Sequence, residues 1–122
     1  MLRPTKSLPK LDARFYKSAS GAEPVRDFLF TLTKDDRKLI GEDISYVQFK
    51  WPIGKPKVDH LSGPIWEVRT TLRTRIARVH FAVEKNVMIL LLGVVKKTQK
   101  ADQADIDIAM DRLKDWKKNE TK

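Results

Sequence analysis

The stretch Ile65–Lys96, IWEVRTTLRTRIARVHFAVEKNVMILLLGVVK, decides how this chain is read. Its apolar residues recur with the period of a strand, not of a helix. Ile65–Thr70 reads as one strand and Arg73–Val83 as a second. Within the second, Ala77, Val79, Phe81 and Val83 alternate with Ile76, Arg78, His80 and Ala82. One side is apolar and the other partly basic, the pattern of a half-buried antiparallel strand. Glu84-Lys85-Asn86 is a short polar turn, so the next strand should close a hairpin. Val87–Val95 is apolar except at Gly93, as in a central strand covered on both faces, and it runs straight into Lys96-Lys97-Thr98-Gln99-Lys100.

Outward from this core the period becomes helical. Ile40, Ile44, Val47 and Trp51 share one helix face; Thr33 is placed to cap it, Asp35 and Asp36 suit its first turn, and Pro52 ends it. An earlier helix carries Val25, Phe28, Leu29 and Leu32 on one stripe. Its start is open between a Ser20–Glu23 capping box and Pro24 in the first helical position. Arg14-Phe15-Tyr16 can form a short first strand, while residues 1–12, with Pro4 and Pro9 among bases, read as an irregular basic arm. Between Pro52 and Pro64 the prolines, Gly54, Gly63, Lys55, Lys57 and His60 predict a loop. Beyond Lys100, Asp102 can cap a last helix with Ile106, Ala109, Met110, Leu113 and Trp116 as its apolar stripe. The expectation is a single α+β domain over residues 1–122, an antiparallel sheet of about four strands with two N-terminal helices and a C-terminal helix.

Composition narrows the function. The 122 residues carry 25 Lys+Arg against 16 Asp+Glu, a net charge of +9. Residues 1–17 hold five bases and one acid, and residues 51–100 hold ten bases and three acids, whereas the other two regions are nearly balanced. Positive charge concentrated in this way is the footprint of a polyanionic partner. There is no cysteine, which excludes a disulfide scaffold, a thiol nucleophile and any Cys-ligated metal. Two histidines argue against a histidine-ligated metal enzyme. No apolar run approaches the roughly 20 residues that span a bilayer, and the N-terminus has no signal-peptide stretch, so a cytoplasmic protein is expected. The five glycines are scattered, with no phosphate loop among them, and Trp51, Trp66 and Trp116 read as packing residues.

The residues able to carry chemistry are Glu67, Arg69, Arg73, Arg75, Arg78, His80, Lys96, Lys97 and Lys100. If Arg69 and Arg78 project from one sheet face and Lys96 follows at a strand end, several cations converge on one surface. Such a cluster can bind phosphates and stabilise charge that builds on phosphorus during displacement. Each has a plainer role open to it: Arg69 pairing with Glu67, Arg73 and Arg75 solvated at a turn, His80 as polar packing.

Three segments together resemble one family pattern: Ile65-Trp66-Glu67-Val68-Arg69, then Arg75-Ile76-Ala77-Arg78-Val79-His80-Phe81, then Ile89 through Lys100, followed by a helix opening Asp105-Ile106-Asp107-Ile108-Ala109-Met110-Asp111-Arg112. The pattern is similar to that of the HigB-like, phage-associated branch of the RelE/ParE toxin superfamily, over roughly residues 14–116. The resemblance implies a RelE-like fold and the toxin of a type II toxin–antitoxin pair, an endoribonuclease that cuts mRNA on ribosomes and is neutralised by a helix-turn-helix, HigA-like antitoxin. RelE-type cleavage proceeds by attack of the ribose 2′-OH on the adjacent phosphate, without a metal or other cofactor. By position, Arg69 and Arg78 would stabilise the phosphate, Lys96 or Lys97 would orient substrate or transfer a proton, and His80 could act as a base. Arg73, Arg75, Lys57 and Lys100 are the expected RNA contacts. Many relatives carry His-Gly-Phe where this chain has Leu92-Gly93-Val94, so any base supplied there must come from another group or cutting would be poor. Two other readings are a gyrase poison of the ParE type and a non-catalytic RNA-binding module.

Overall fold

The computed structural model describes residues 8–96 and 101–120. In chain order the elements are β1 (Asp12–Phe15), α1 (Pro24–Phe30), α2 (Lys34–Lys50), β2 (Val58–Ser62), β3 (Ile65–Thr71), β4 (Ile76–Glu84), β5 (Val87–Lys96) and α3 (Gln103–Glu120). The strands form one sheet in the order β1-β5-β4-β3-β2. Strands β2 to β5 are antiparallel neighbours, but β1 lies parallel to β5, with Asp12 opposite Val87 and Phe15 opposite Leu90. The sheet is therefore five-stranded and mixed, not an antiparallel sheet of about four. Val58–Ser62, read as loop, is an edge strand whose Val58 is buried against β3.

Local chemistry accounts for the helix ends. Pro24 takes the first position of α1, after Glu23, so the later of the two starts is the one used. The Thr33 hydroxyl accepts the Asp36 N–H at 3.1 Å, capping α2, which stops at Lys50 before Trp51 and Pro52. The helices divide between the two sheet faces, an arrangement the sequence left open. Val25 and Leu29 of α1 and Ile40, Ile44 and Val47 of α2 pack on Val68, Val79, Phe81, Met88 and Leu90. On the opposite face Ala109 and Leu113 of α3 pack on Ile65, Ala82, Ile89 and Leu91. Because α3 covers it, the basic side of β4 is buried and not half-exposed.

One irregularity positions the end of β5. His80 pairs with Leu92 but Phe81 pairs with Leu90, so Leu91 is an extra residue on β5. A bulge reverses the inside–outside alternation beyond it. Before it, Met88 and Leu90 face α1 and α2; after it, Gly93 and Val95 do, and Lys96 is turned toward α3.

Gly93 is where α1 approaches the sheet most closely. A Cβ there would lie 2.7 Å from Cγ of the Phe28 ring. Gly93→Ala should therefore lower stability by about 1–3 kcal/mol in urea unfolding, as overpacking does. Adding Phe28→Leu should recover part of that loss, whereas an unchanged midpoint for Gly93→Ala would contradict this packing.

Candidate functional site

On the α3 face, the register of β3 and β4 sets Glu67 opposite His80 and Arg69 opposite Arg78. Arg78 is 1% exposed, His80 0% and Glu67 1%. Such groups enter an interior only when charge and hydrogen bonding are met locally. Arg78 Nη1 donates to Glu67 Oε2 at 2.6 Å, and Arg69 Nε lies 3.8 Å from the same oxygen. One carboxylate thus serves two guanidiniums that face each other across the strands, where like charges alone would repel. The pairing of Arg69 with Glu67 weighed from the spacing is present, but the shorter contact belongs to Arg78.

His80 Nε2 lies 3.7 Å from Glu67 Oε1, and among the described residues neither ring nitrogen has a hydrogen-bond partner. Burial, reinforced by Arg78 and Lys96 and opposed by Asp105, pulls its pKa down from 6.5 to about 4. The imidazole is therefore neutral at pH 7 and its approach to Glu67 is not an ion pair there.

At the end of β5, Lys96 pairs with Asp102 and, at 2.7 Å, with Asp105 of α3. The bond to Asp102, then that to Asp105, holds the ammonium above its ordinary pKa, and Lys96 in turn holds Asp102 below the usual carboxylate range. Asp102 also precedes α3 as expected, and its carbonyl accepts the Ile106 N–H at 3.1 Å; its carboxylate, however, is engaged with Lys96.

The remaining bases are spread more widely. Lys57 Nζ donates to Asp43 at 2.8 Å and Arg75 to Asp36 at 3.2 Å, so acids of α2 tie both to that helix. Arg73 is exposed in the turn between β3 and β4. Lys97 and Lys100 lie outside the described residues. Lys57 and Arg69 meet again in a surface hollow of about 220 Å³ that Pro56, Thr71 and Ile76 complete. The structure thus gathers Glu67, Arg69, Arg78, His80 and Lys96 on one face. It shuts Arg78 and His80 inside and leaves Arg69 and Lys96, each with a side chain 19% exposed, at the margin. Sequence reasoning missed Asp105 as a partner of Lys96; its signal is the three-residue spacing from Asp102 directly after the lysine tract. No group of His, Cys, Asp or Glu able to hold a metal ion occurs among the described residues, and no helix there is long and apolar enough to cross a membrane.

The buried histidine has a measurable signature. An unfolded imidazole takes its proton near pH 6.5 and the folded one only near 4, so between those values the unfolded state binds more protons. Stability from this source is complete above about pH 6.5 and falls as the pH drops toward about 4, by on the order of 3 kcal/mol. Urea titrations of wild type and His80→Gln over this range should show a shallower pH dependence in the variant. Identical slopes would contradict a neutral, buried His80.

Residues 27–114 match the family described as phage-derived protein Gp49-like. That span runs from α1 into α3 and contains Glu67, Arg69, Arg78, His80, Lys96 and their acidic partners Asp102 and Asp105. None of the curated proteins compared with the chain matches it. With the match covering most of its length, the chain belongs to the phage-derived Gp49-like family, a RelE/toxin-like family.

Proposed function

We propose that the chain is the toxin of a type II toxin–antitoxin pair, of the HigB-like branch, and that it cuts mRNA on translating ribosomes. The observation that carries this reading is the convergence of Arg69 and Lys96 at the margin of one sheet face, beside the hollow that Arg69 shares with Lys57. In the proposed reaction the ribose 2′-oxygen attacks the adjacent phosphorus, the P–O5′ bond breaks, and the products are a 2′,3′-cyclic phosphate and a 5′-hydroxyl. Negative charge grows on the phosphorane oxygens, and cations fixed before the reaction stabilise it without reorganising.

Arg69 is the residue proposed to contact the phosphate, since its guanidinium lies at the hollow and can offer two donors at once. Lys96, held protonated by its acidic partners, suits charge stabilisation or donation to the leaving 5′-oxygen better than abstraction of the 2′-proton. Arg78 and His80 are proposed to act through Glu67, fixing the carboxylate that orients Arg69. Arg73, Arg75, Lys97 and Lys100 are proposed as further RNA contacts, and a helix-turn-helix antitoxin as the partner that covers this surface or blocks entry to the ribosome.

In a reconstituted translation reaction, wild type should generate new mRNA 5′ ends that require ribosomes. Arg69→Ala and Lys96→Ala/Lys97→Ala should reduce them by about 100-fold or more, the usual effect of losing one transition-state donor. Equal cutting of naked RNA would remove the ribosome from the mechanism. DNA breaks with gyrase and intact mRNA would identify a gyrase poison instead, and RNA binding without cleavage a non-catalytic module.

A further inference from the structure

The ammonium proposed to meet substrate phosphate is already occupied. Lys96 lies between two carboxylates from the start of α3, Asp102 and Asp105. The two arms differ in exposure. The Asp105 side chain is 18% exposed and sits at the foot of the helix, next to His80, whereas that of Asp102 is 66% exposed and open to solvent. A carboxylate and a phosphate oxygen offer a lysine the same interaction, a negative oxygen accepting a charge-assisted hydrogen bond. Both therefore compete for one cation.

We propose that Asp102 and Asp105 form an acidic latch that masks Lys96 from phosphate, with Asp102 the arm displaced when a phosphate of single-stranded RNA binds. This rests on the reading of Lys96 as a substrate contact. The bulge at Leu91 is part of the device, because it turns Lys96 toward α3 and so toward the latch. An ion pair with one solvent-exposed arm is weak in water, so the open arm can be exchanged without unfolding α3. Asp105 keeps the ammonium aligned throughout. With the latch closed, the protein spends part of its affinity for RNA on displacing its own carboxylate, which lowers binding to stray RNA and favours substrates presented by a larger partner.

The test measures binding of two probes, a fluorescent single-stranded oligoribonucleotide and inorganic tripolyphosphate. The proteins are wild type, Asp102→Asn, Asp105→Asn, Lys96→Ala and Lys96→Ala/Asp102→Asn, each shown to be folded by its thermal melt. Asp107→Asn, an exposed acid on the same helix, controls for the change in net charge. Asp102→Asn should bind both probes roughly three- to ten-fold more tightly, well beyond Asp107→Asn. Its salt dependence on RNA should steepen by about 0.7 for the added phosphate contact. Lys96→Ala should erase the gain, as a double-mutant cycle requires of a coupled pair. Tighter tripolyphosphate binding with no RNA binding by any variant would support the latch and defeat the RNA reading. Weaker RNA binding by Lys96→Ala, with Asp102→Asn no tighter than Asp107→Asn, would overturn the latch and leave that reading intact. Asp105→Asn should tighten both probes less than Asp102→Asn; the reverse order would overturn Asp102 as the moving arm.

Discussion

Glu67 and Arg78 meet at 2.6 Å in the interior of the α3 face, and both side chains are about 1% exposed. Removing two charges from water costs several kcal/mol each unless attraction and hydrogen bonds repay it. Here the debt is compounded because Arg69 stands directly across from Arg78. A single carboxylate within reach of both guanidiniums makes the arrangement tenable, and it holds only if β3 and β4 keep their register. A slip of one residue would send Glu67 and Arg69 to the opposite face, among Val68, Val79 and Phe81. The ion pair therefore ties the alignment of the central strands to the direction in which Arg69 points.

The same face needs a cover, and α3 supplies it. Ala109 and Leu113 seat the helix on Ile65, Ala82, Ile89 and Leu91. Arg112 Nη1 donates to the Leu91 carbonyl at 2.8 Å, at the residue where β5 bulges. That one extra residue decides the chemistry of the margin. Without it, Lys96 would project toward α1 and α2; with it, the ammonium joins Arg69 on the side that carries Glu67, Arg78 and His80. The buried groups set positions and charge balance, while the marginal cations remain for a polyanion to meet.

Much of this was legible in the sequence because it is local. The alternation around Arg78 and His80 marked β4 and put the two side chains on one side. Pro24 and Thr33 marked helix starts, and Lys85-Asn86 marked the hairpin. What could not be read depends on distant contacts. Val58–Ser62 is short, charged and flanked by proline and glycine, and becomes a strand only by pairing with β3. The parallel placement of β1 beside β5 leaves no mark on Arg14-Phe15-Tyr16. Alternation in β4 distinguishes its two sides but not whether a helix lies over the polar one, so Arg78 and His80 looked more accessible than they are. The run Val87–Val95 is apolar at nearly every position, which hides the bulge and with it the direction of Lys96. Asp102 was recognisable as a helix start, but its engagement with Lys96 belongs to tertiary structure.

Division of labour between buried support and marginal cations makes a specific demand on where RNA binds. The most direct test is a ¹H–¹⁵N chemical-shift titration of the protein with a 2′-O-methyl oligoribonucleotide, which cannot be cleaved by 2′-OH attack. Binding at the proposed surface requires the largest shifts at Lys57, Arg69, Thr71, Ile76 and Lys96, the residues of the hollow and of the adjoining strand end. Shifts confined to the outer face of α2, at the exposed Leu39, Tyr46 and Phe49, with the sheet face silent, would contradict it.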